Sequence, residues 1–81
     1  MTDKTIKCPL PGTFYRGPSP DAEPFLSEGH EVRAGDIVGL VEIMKTFQEV
    51  LSELDGVLDR FLVDDLDDVE AGQDIAVLLE P

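Results

Sequence analysis

Two stretches of this 81-residue sequence read as one phrase: residues 32–42 are VRAGDIVGLVE and residues 69–80 are VEAGQDIAVLLE, the second longer by one residue. A repeat on this scale asks both copies to adopt one local structure, and so restricts the fold more than composition does. Upstream of each phrase a glycine opens an apolar segment, Gly12 before TFY and Gly56 before VLDRFLV. Gly12 and Gly35 are 23 positions apart and Gly56 and Gly72 are 16 apart, so the first copy carries seven additional residues. They fall in residues 16–24, RGPSPDAEP, which hold three of the six prolines and have no counterpart in the second copy. Each proline fixes its own φ and restricts the residue before it. By composition the segment reads as a tolerated surface loop, with a semi-rigid protrusion as the sharper alternative.

Hydrophobic spacing and the repeat disagree about the elements. Ile37, Leu40, Met44, Phe47, Leu51 and Leu54 recur at intervals of three and four, the period of an amphipathic helix. Against a helix stand Gly39, the β-branched content of DIVGLVE, and a second phrase that reaches Pro81 with no room for a long helix. Short apolar segments at residues 6–8, 13–15, 37–42, 47–51, 57–63 and 75–79 are bounded by Gly, Pro and Asp-Gly signals. The repeat decides for strands, and the expectation is an all-β sandwich or barrel.

A chain of this length makes one domain, residues 1–81, and buries only about 60% of its unfolded surface, leaving little core for a deep active-site cavity. Carrying, binding or scaffolding is therefore expected before unaided catalysis. The formal net charge is −12, which repels phosphate backbones and anionic lipid and argues against nucleic-acid and membrane partners. Its apolar content is too high for a disordered acidic tail. One cysteine, Cys8, allows no intrachain disulfide. No apolar run approaches a signal peptide or a membrane span, so a reducing cytoplasm is the expected compartment. Cys8, beside Pro9, reads as a small buried hydrophobe.

Residues 42–81 hold twelve acids against two bases. Their densest run, DDLDDVE at residues 64–70, reads as a solvated turn, with a docking face for a basic partner as the alternative. It lacks the register of a calcium loop. His30, in EGHEV, reads as an exposed turn residue, and without a second His or a neighbouring Cys it makes no metal site. Phe14 and Tyr15 read as strand residues with one face inward.

If both copies are strand units, VEIMKTFQEV between them is a hairpin with its tip at Met44 and Lys45. Tight two-residue hairpins need φ > 0 at both central residues and favour Asn-Gly or Asp-Gly. A Met and a Lys in those places break a local rule at a defined point, which is where function is expected. Lys45 is one of three lysines, and from Thr46 onward the only base is Arg60. A lysine at the far end of a hairpin suits a long covalently attached group, which gains reach without a pocket; a solvated surface lysine is the plain alternative.

The segment EIMKT resembles the Glu-Ala-Met-Lys-Met motif of biotin carboxyl carrier domains. Residues 6–36, IKCPLPGTFYRGPSPDAEPFLSEGHEVRAGD, resemble the first half of the carrier domain of bacterial-type acetyl-CoA carboxylases, and GQDIAVLLE resembles that family's last strand. The resemblance covers residues 6–80. It implies a flattened β-barrel of two four-stranded antiparallel sheets related by a pseudo-twofold axis. It implies that Lys45, flanked by Glu42, Met44 and Thr46, carries biotin in amide linkage, attached by a biotin protein ligase using ATP. The expected partners are then a biotin carboxylase and a carboxyltransferase, served by a non-catalytic carrier that is monomeric as an isolated domain. Residues 16–24 resemble the protruding thumb of acetyl-CoA carboxylase carriers, with Pro18, Ser19, Pro20 and Asp21 as its thumb residues.

Related lipoyl domains typically carry Asp-Lys-Ala, whereas here Met44 precedes the lysine, which favours biotin over lipoate. Ile43 stands where the family usually has a small residue, and Thr46 where it usually has Met. The N-terminal region and Pro/Ala-rich linker of longer carriers have no counterpart, which implies a free-standing carrier or a domain fragment. A carrier for another biotin-dependent acyl-CoA carboxylase and an unmodified acidic β-module that binds a protein partner are the alternative readings.

Overall fold

The computed structural model describes residues 4–19 and 21–80. They form eight strands: β1 (Lys4–Lys7), β2 (Gly12–Tyr15), β3 (Glu31–Val32), β4 (Ile37–Ile43), β5 (Thr46–Leu51), β6 (Gly56–Phe61), β7 (Asp68–Val69) and β8 (Asp74–Leu79). Two four-stranded sheets, ordered β1-β8-β6-β3 and β5-β4-β2-β7, pack face to face, and every pairing is antiparallel. The all-β expectation holds, and no helix among the described residues is long and apolar enough to cross a membrane.

Alternation builds the core. Phe14, Val41 and Val50 of one sheet meet Leu58, Ile75 and Leu78 of the other, all at most 1% exposed. Burial of such side chains contributes about 1.5–3 kcal/mol each. Phe14 reaches across to Phe61, with ring centroids 6.0 Å apart and planes tilted by 48°. The three-and-four spacing of residues 37–54 is a by-product of folding a hairpin there. Ile37 and Leu51 face each other across its two strands, and Met44 occupies its turn.

The repeat is visible bond by bond. The Gly35 N–H donates to the Ser52 carbonyl and the Gly72 N–H to the Cys8 carbonyl, both at 2.8 Å. Ser52 and Cys8 return the bond to the carbonyls of Asp36 and Gln73, at 2.9 and 2.8 Å. The N–H of Arg33 donates to the Asp36 carboxylate at 3.0 Å, and that of Glu70 to the Gln73 amide oxygen at 2.9 Å.

This equivalence corrects the alignment of the two phrases. Gln73 takes the place of Asp36, so the phrases run without a gap and the second holds no extra residue. Glu42 faces Thr13 as Leu79 faces Val57. The odd residue is Asp59, bulged where the register shifts between Leu58 and Arg60 of β6.

Two strands go beyond the six apolar segments read from the residues, and both are two-residue pieces at sheet edges. β3 pairs with β6, and β7 pairs with β2. β7 lies inside the acidic run read as a turn: residues 64–67 do turn, but Val69 is buried at 3% exposure. Two residues of alternation are too few to read as a strand among acids, and the pairing supplied by β2 decides it.

His30 is exposed, and its Nδ1 accepts the Ser27 N–H at 3.1 Å. Cys8 is buried and 1% exposed, as its surroundings in sequence suggested.

Candidate functional site at the β4–β5 hairpin

β4 and β5 pair from Ile37 opposite Leu51 up to Ile43 opposite Thr46. That leaves Met44 and Lys45 to make the whole turn. Their φ values are +51° and +67°, the left-handed pair a tight hairpin needs so that its twist matches the strands. Side chains with a Cβ hold this conformation at a cost of order 1 kcal/mol each. Met44 is also 92% exposed, an unfavourable place for a thioether. Backbone strain and an apolar side chain in water therefore coincide at one turn.

Lys45 is exposed at this tip. Among the described residues, Lys4 pairs with Glu80 at 3.9 Å, Lys7 with Asp74 at 2.6 Å, Arg33 with Glu31 at 3.5 Å, and Arg60 with Asp59. Arg16 stacks 4.2 Å over the Phe61 ring. No such pairing is found for Lys45 among the described residues, although acids outnumber bases threefold in the sequence.

Below the tip the hairpin is braced on both faces. On the inner side Ile43 packs against the core, which accounts for a large residue beside the turn. Gly12 faces it: a Cβ there would overlap the Glu42 carbonyl oxygen and come within 2.9 Å of the Ile43 side chain. On the outer side Glu42 lies opposite Thr13 and Phe47. The Tyr15 hydroxyl donates to its carboxylate at 2.7 Å. The Tyr15 and Phe47 rings meet edge to face, with centroids 5.4 Å apart and planes at 67°. Hydrogen bonding to Glu42, partial burial and the negative charges of Glu42 and Asp65 all raise the Tyr15 hydroxyl above the ordinary 10.0.

Of the residues named from sequence, Glu42, Met44, Lys45 and Thr46 thus lie together at one end of the hairpin, with Thr46 exposed. Tyr15 and Phe47 were not assigned to this site. A two-residue turn at 44–45 mirrors position 42 onto 47, so Phe47 beside Glu42 was readable once the tip was fixed. The contact with Tyr15 depends on the β2–β4 register, which local sequence does not give.

The proline-rich segment leaves the end of β2 and closes on itself. The Phe25 N–H donates to the Arg16 carbonyl at 2.9 Å, and the Ala22 N–H to that of Ser19 at 3.1 Å. Gly17 is buried in the neck, where a Cβ would collide with the Glu23 carbonyl. Pro18, Ser19 and Asp21 are exposed, and Pro20 lies outside the described residues.

A groove of about 340 Å³ lies elsewhere, lined by Thr5, Ile6, Cys8, Leu51 and Leu54. Among the described residues no cluster of His, Cys, Asp and Glu is arranged to hold a metal.

Two pseudo-symmetric sheets with a lysine displayed on a strained two-residue hairpin define a lysine-presenting β-domain. The chain belongs to the biotin/lipoyl attachment family, whose model, described as biotin-requiring enzyme, matches residues 4–78. It is 36% identical over 78 residues to the biotin carboxyl carrier protein of acetyl-CoA carboxylase of Haemophilus influenzae, covering 96% of this chain and 50% of that protein. It is 32% identical over 79 residues to the protein of the same description from Pseudomonas aeruginosa, covering 98% of this chain and 51% of that one. The chain thus spans about half the length of these two relatives. Urea carboxylase of Kluyveromyces lactis, in its crystal structure, superposes with a TM-score of 0.79 at 29% identity over 98% of this chain and 6% of that one.

Proposed function

We propose that this protein is a biotin carrier domain and that Lys45 is its attachment point. The observation that carries this reading is Lys45 itself, exposed on a left-handed turn and without an acid partner among the described residues. The site fits the group: an amide-linked cofactor needs a reachable amine and open space rather than a cavity. Bound biotin supplies a ureido nitrogen that accepts and releases a carboxyl group.

Attachment is an acylation of Lys45. Lys45 Nζ would hold the group by forming an amide bond to a biotin carboxyl carbon that the ligase has activated with ATP; the phosphate oxygen would leave with its electron pair and the nitrogen would release a proton to water. The chain's own contribution is presentation. β4 and β5 hold the amine at a fixed height, and Met44 and Thr46 flank it.

By this reading the chain is a carrier rather than a catalyst. It is modified by a biotin protein ligase and visits a biotin carboxylase and a carboxyltransferase in turn, with acetyl-CoA as the final acceptor. Residues 16–24 serve as the thumb: the bond from Phe25 to Arg16 and the tight Gly17 neck support a stiff protrusion. Replacing residues 18–23 by a glycine linker is expected to spare attachment and slow carboxyl transfer; transfer at the wild-type rate would exclude the thumb.

The deciding experiment is intact-mass measurement after coexpression with a biotin protein ligase. One biotinyl group is expected on the wild-type chain and on Lys7→Arg, and none on Lys45→Arg. A lipoyl adduct would transfer the role to lipoate, and an unmodified wild-type chain would remove the proposal.

A further inference from the structure

Tyr15, Glu42 and Phe47 come from three adjacent strands and meet on the outer face of the sheet, directly below the Lys45 turn. Glu42 is two residues before Met44 on β4, and Phe47 is two after Lys45 on β5. Tyr15 reaches them from β2, where it lies opposite Leu40. Glu42 is a half-buried carboxylate with one charge-neutral donor, the Tyr15 hydroxyl at 2.7 Å. Phe47 keeps 49% of its surface in water while its ring rests against Tyr15.

The cluster does little for the core, because its side chains lie on the face turned away from Phe14, Val41 and Val50. What it does fix is orientation. A glutamate beside a hairpin tip has several rotamers, and a phenol hydrogen bond selects one. An aromatic edge on a solvent-facing side of a strand stiffens the hairpin just below the amine that must be presented.

We propose that Tyr15 is a positioning residue for the acylation of Lys45: its hydroxyl fixes the Glu42 carboxylate and its ring seats Phe47, so that the outer face of the hairpin is prearranged for the enzyme that modifies the lysine. The inference rests on the reading of Lys45 as an attachment site. The partner surface it implies carries a hydrogen-bond donor or cation for Glu42 and an apolar patch for Phe47. Ordering these side chains before contact lowers the entropy cost of association, so the effect belongs in recognition and not in the chemical step.

The test is steady-state acylation of the full chain by a biotin protein ligase with biotin and ATP. Tyr15→Phe removes one oxygen from a partly exposed position and keeps the ring. It is expected to raise KM for the chain about tenfold with kcat nearly unchanged. Phe47→Ala, on an edge strand and half in water, is expected to move KM in the same direction. It provides the test by itself if Tyr15→Phe folds poorly by circular dichroism.

Wild-type KM in a folded Tyr15→Phe chain, or in Phe47→Ala where Tyr15→Phe folds poorly, would overturn the inference while leaving Lys45 as the attachment site. A fall in kcat at constant KM would overturn it too, since that assigns Tyr15 to the chemistry. Failure of the wild-type chain to be acylated would overturn the reading beneath it.

Discussion

Cys8 and Ser52, 44 positions apart in the sequence, occupy the same place in the two halves of the fold. The Cys8 thiol donates to the Leu10 carbonyl and the Ser52 hydroxyl to the Leu54 carbonyl, the latter at 2.7 Å. Ser52 also accepts the Leu54 N–H at 3.2 Å, and the two side chains are 1% and 2% exposed.

A hydroxyl already fits this environment, so Cys8→Ser is expected to cost under about 1 kcal/mol. Ser52→Ala takes the side-chain partner from the half-buried Leu54 carbonyl and N–H and is expected to cost about 1–2 kcal/mol. Urea unfolding of the two variants checks the ordering, and equal losses would contradict the equivalence.

Leu66 holds φ = +72° in the position that Gly29, at +90°, takes in the first half. The N–H of each caps the equivalent strand residue, Gly29 to the Leu58 carbonyl and Leu66 to that of Phe14, both at 2.7 Å. A leucine is strained there, and Leu66 is 51% exposed, so little burial is lost on removing it. Leu66→Gly is expected to raise stability by about 0.5–1 kcal/mol, after allowing for the added freedom of the unfolded chain. Thermal unfolding reads the sign.

Tyr15 is the only tyrosine and there is no tryptophan, so absorbance at alkaline pH reports its ionisation alone. Its midpoint is expected above the ordinary 10.0, because the Glu42 hydrogen bond favours the protonated phenol. A raised folded value means that this contribution to stability is complete below pH 10 and fades as the pH climbs through the folded midpoint. Glu42→Gln is expected to bring the midpoint down, and a midpoint unchanged by that substitution would refute the assignment.

Asp74 titrates in the opposite sense. The Lys7 ammonium donates to its carboxylate at 2.6 Å and holds it below the ordinary 3.8, with a smaller contribution from Thr5 and an opposing one from burial. A depressed folded value gives stability that is present above 3.8 and lost as the pH falls through the folded midpoint. Lys7→Met is therefore expected to be less stable than wild type near neutrality and indistinguishable from it once Asp74 is protonated. A difference that persists in strong acid would point to lost packing of the lysine stem.

The hairpin and its lysine were legible because a two-residue turn is a local problem: strand signals on both sides of 44–45 leave those residues nowhere else to go. The repeat likewise decides for strands over a helix, although its second phrase holds no extra residue once the hydrogen bonds align the two copies. Asp36 and Gln73 look unlike as letters, yet both offer an oxygen to the N–H three residues earlier. Hydrogen-bonding role, not residue identity, aligns them.

By itself the sequence determined six of the eight strands, the position of the Lys45 turn and the site of the seven-residue insertion, set by the repeat, by turn chemistry and by spacing along the chain. The tertiary structure alone decided that two residues of an acidic run become β7, that Arg16 lies over Phe61, and that Tyr15 reaches Glu42 and Phe47. Each depends on the register between strands distant in sequence, and register is chosen by packing the two sheets over one core.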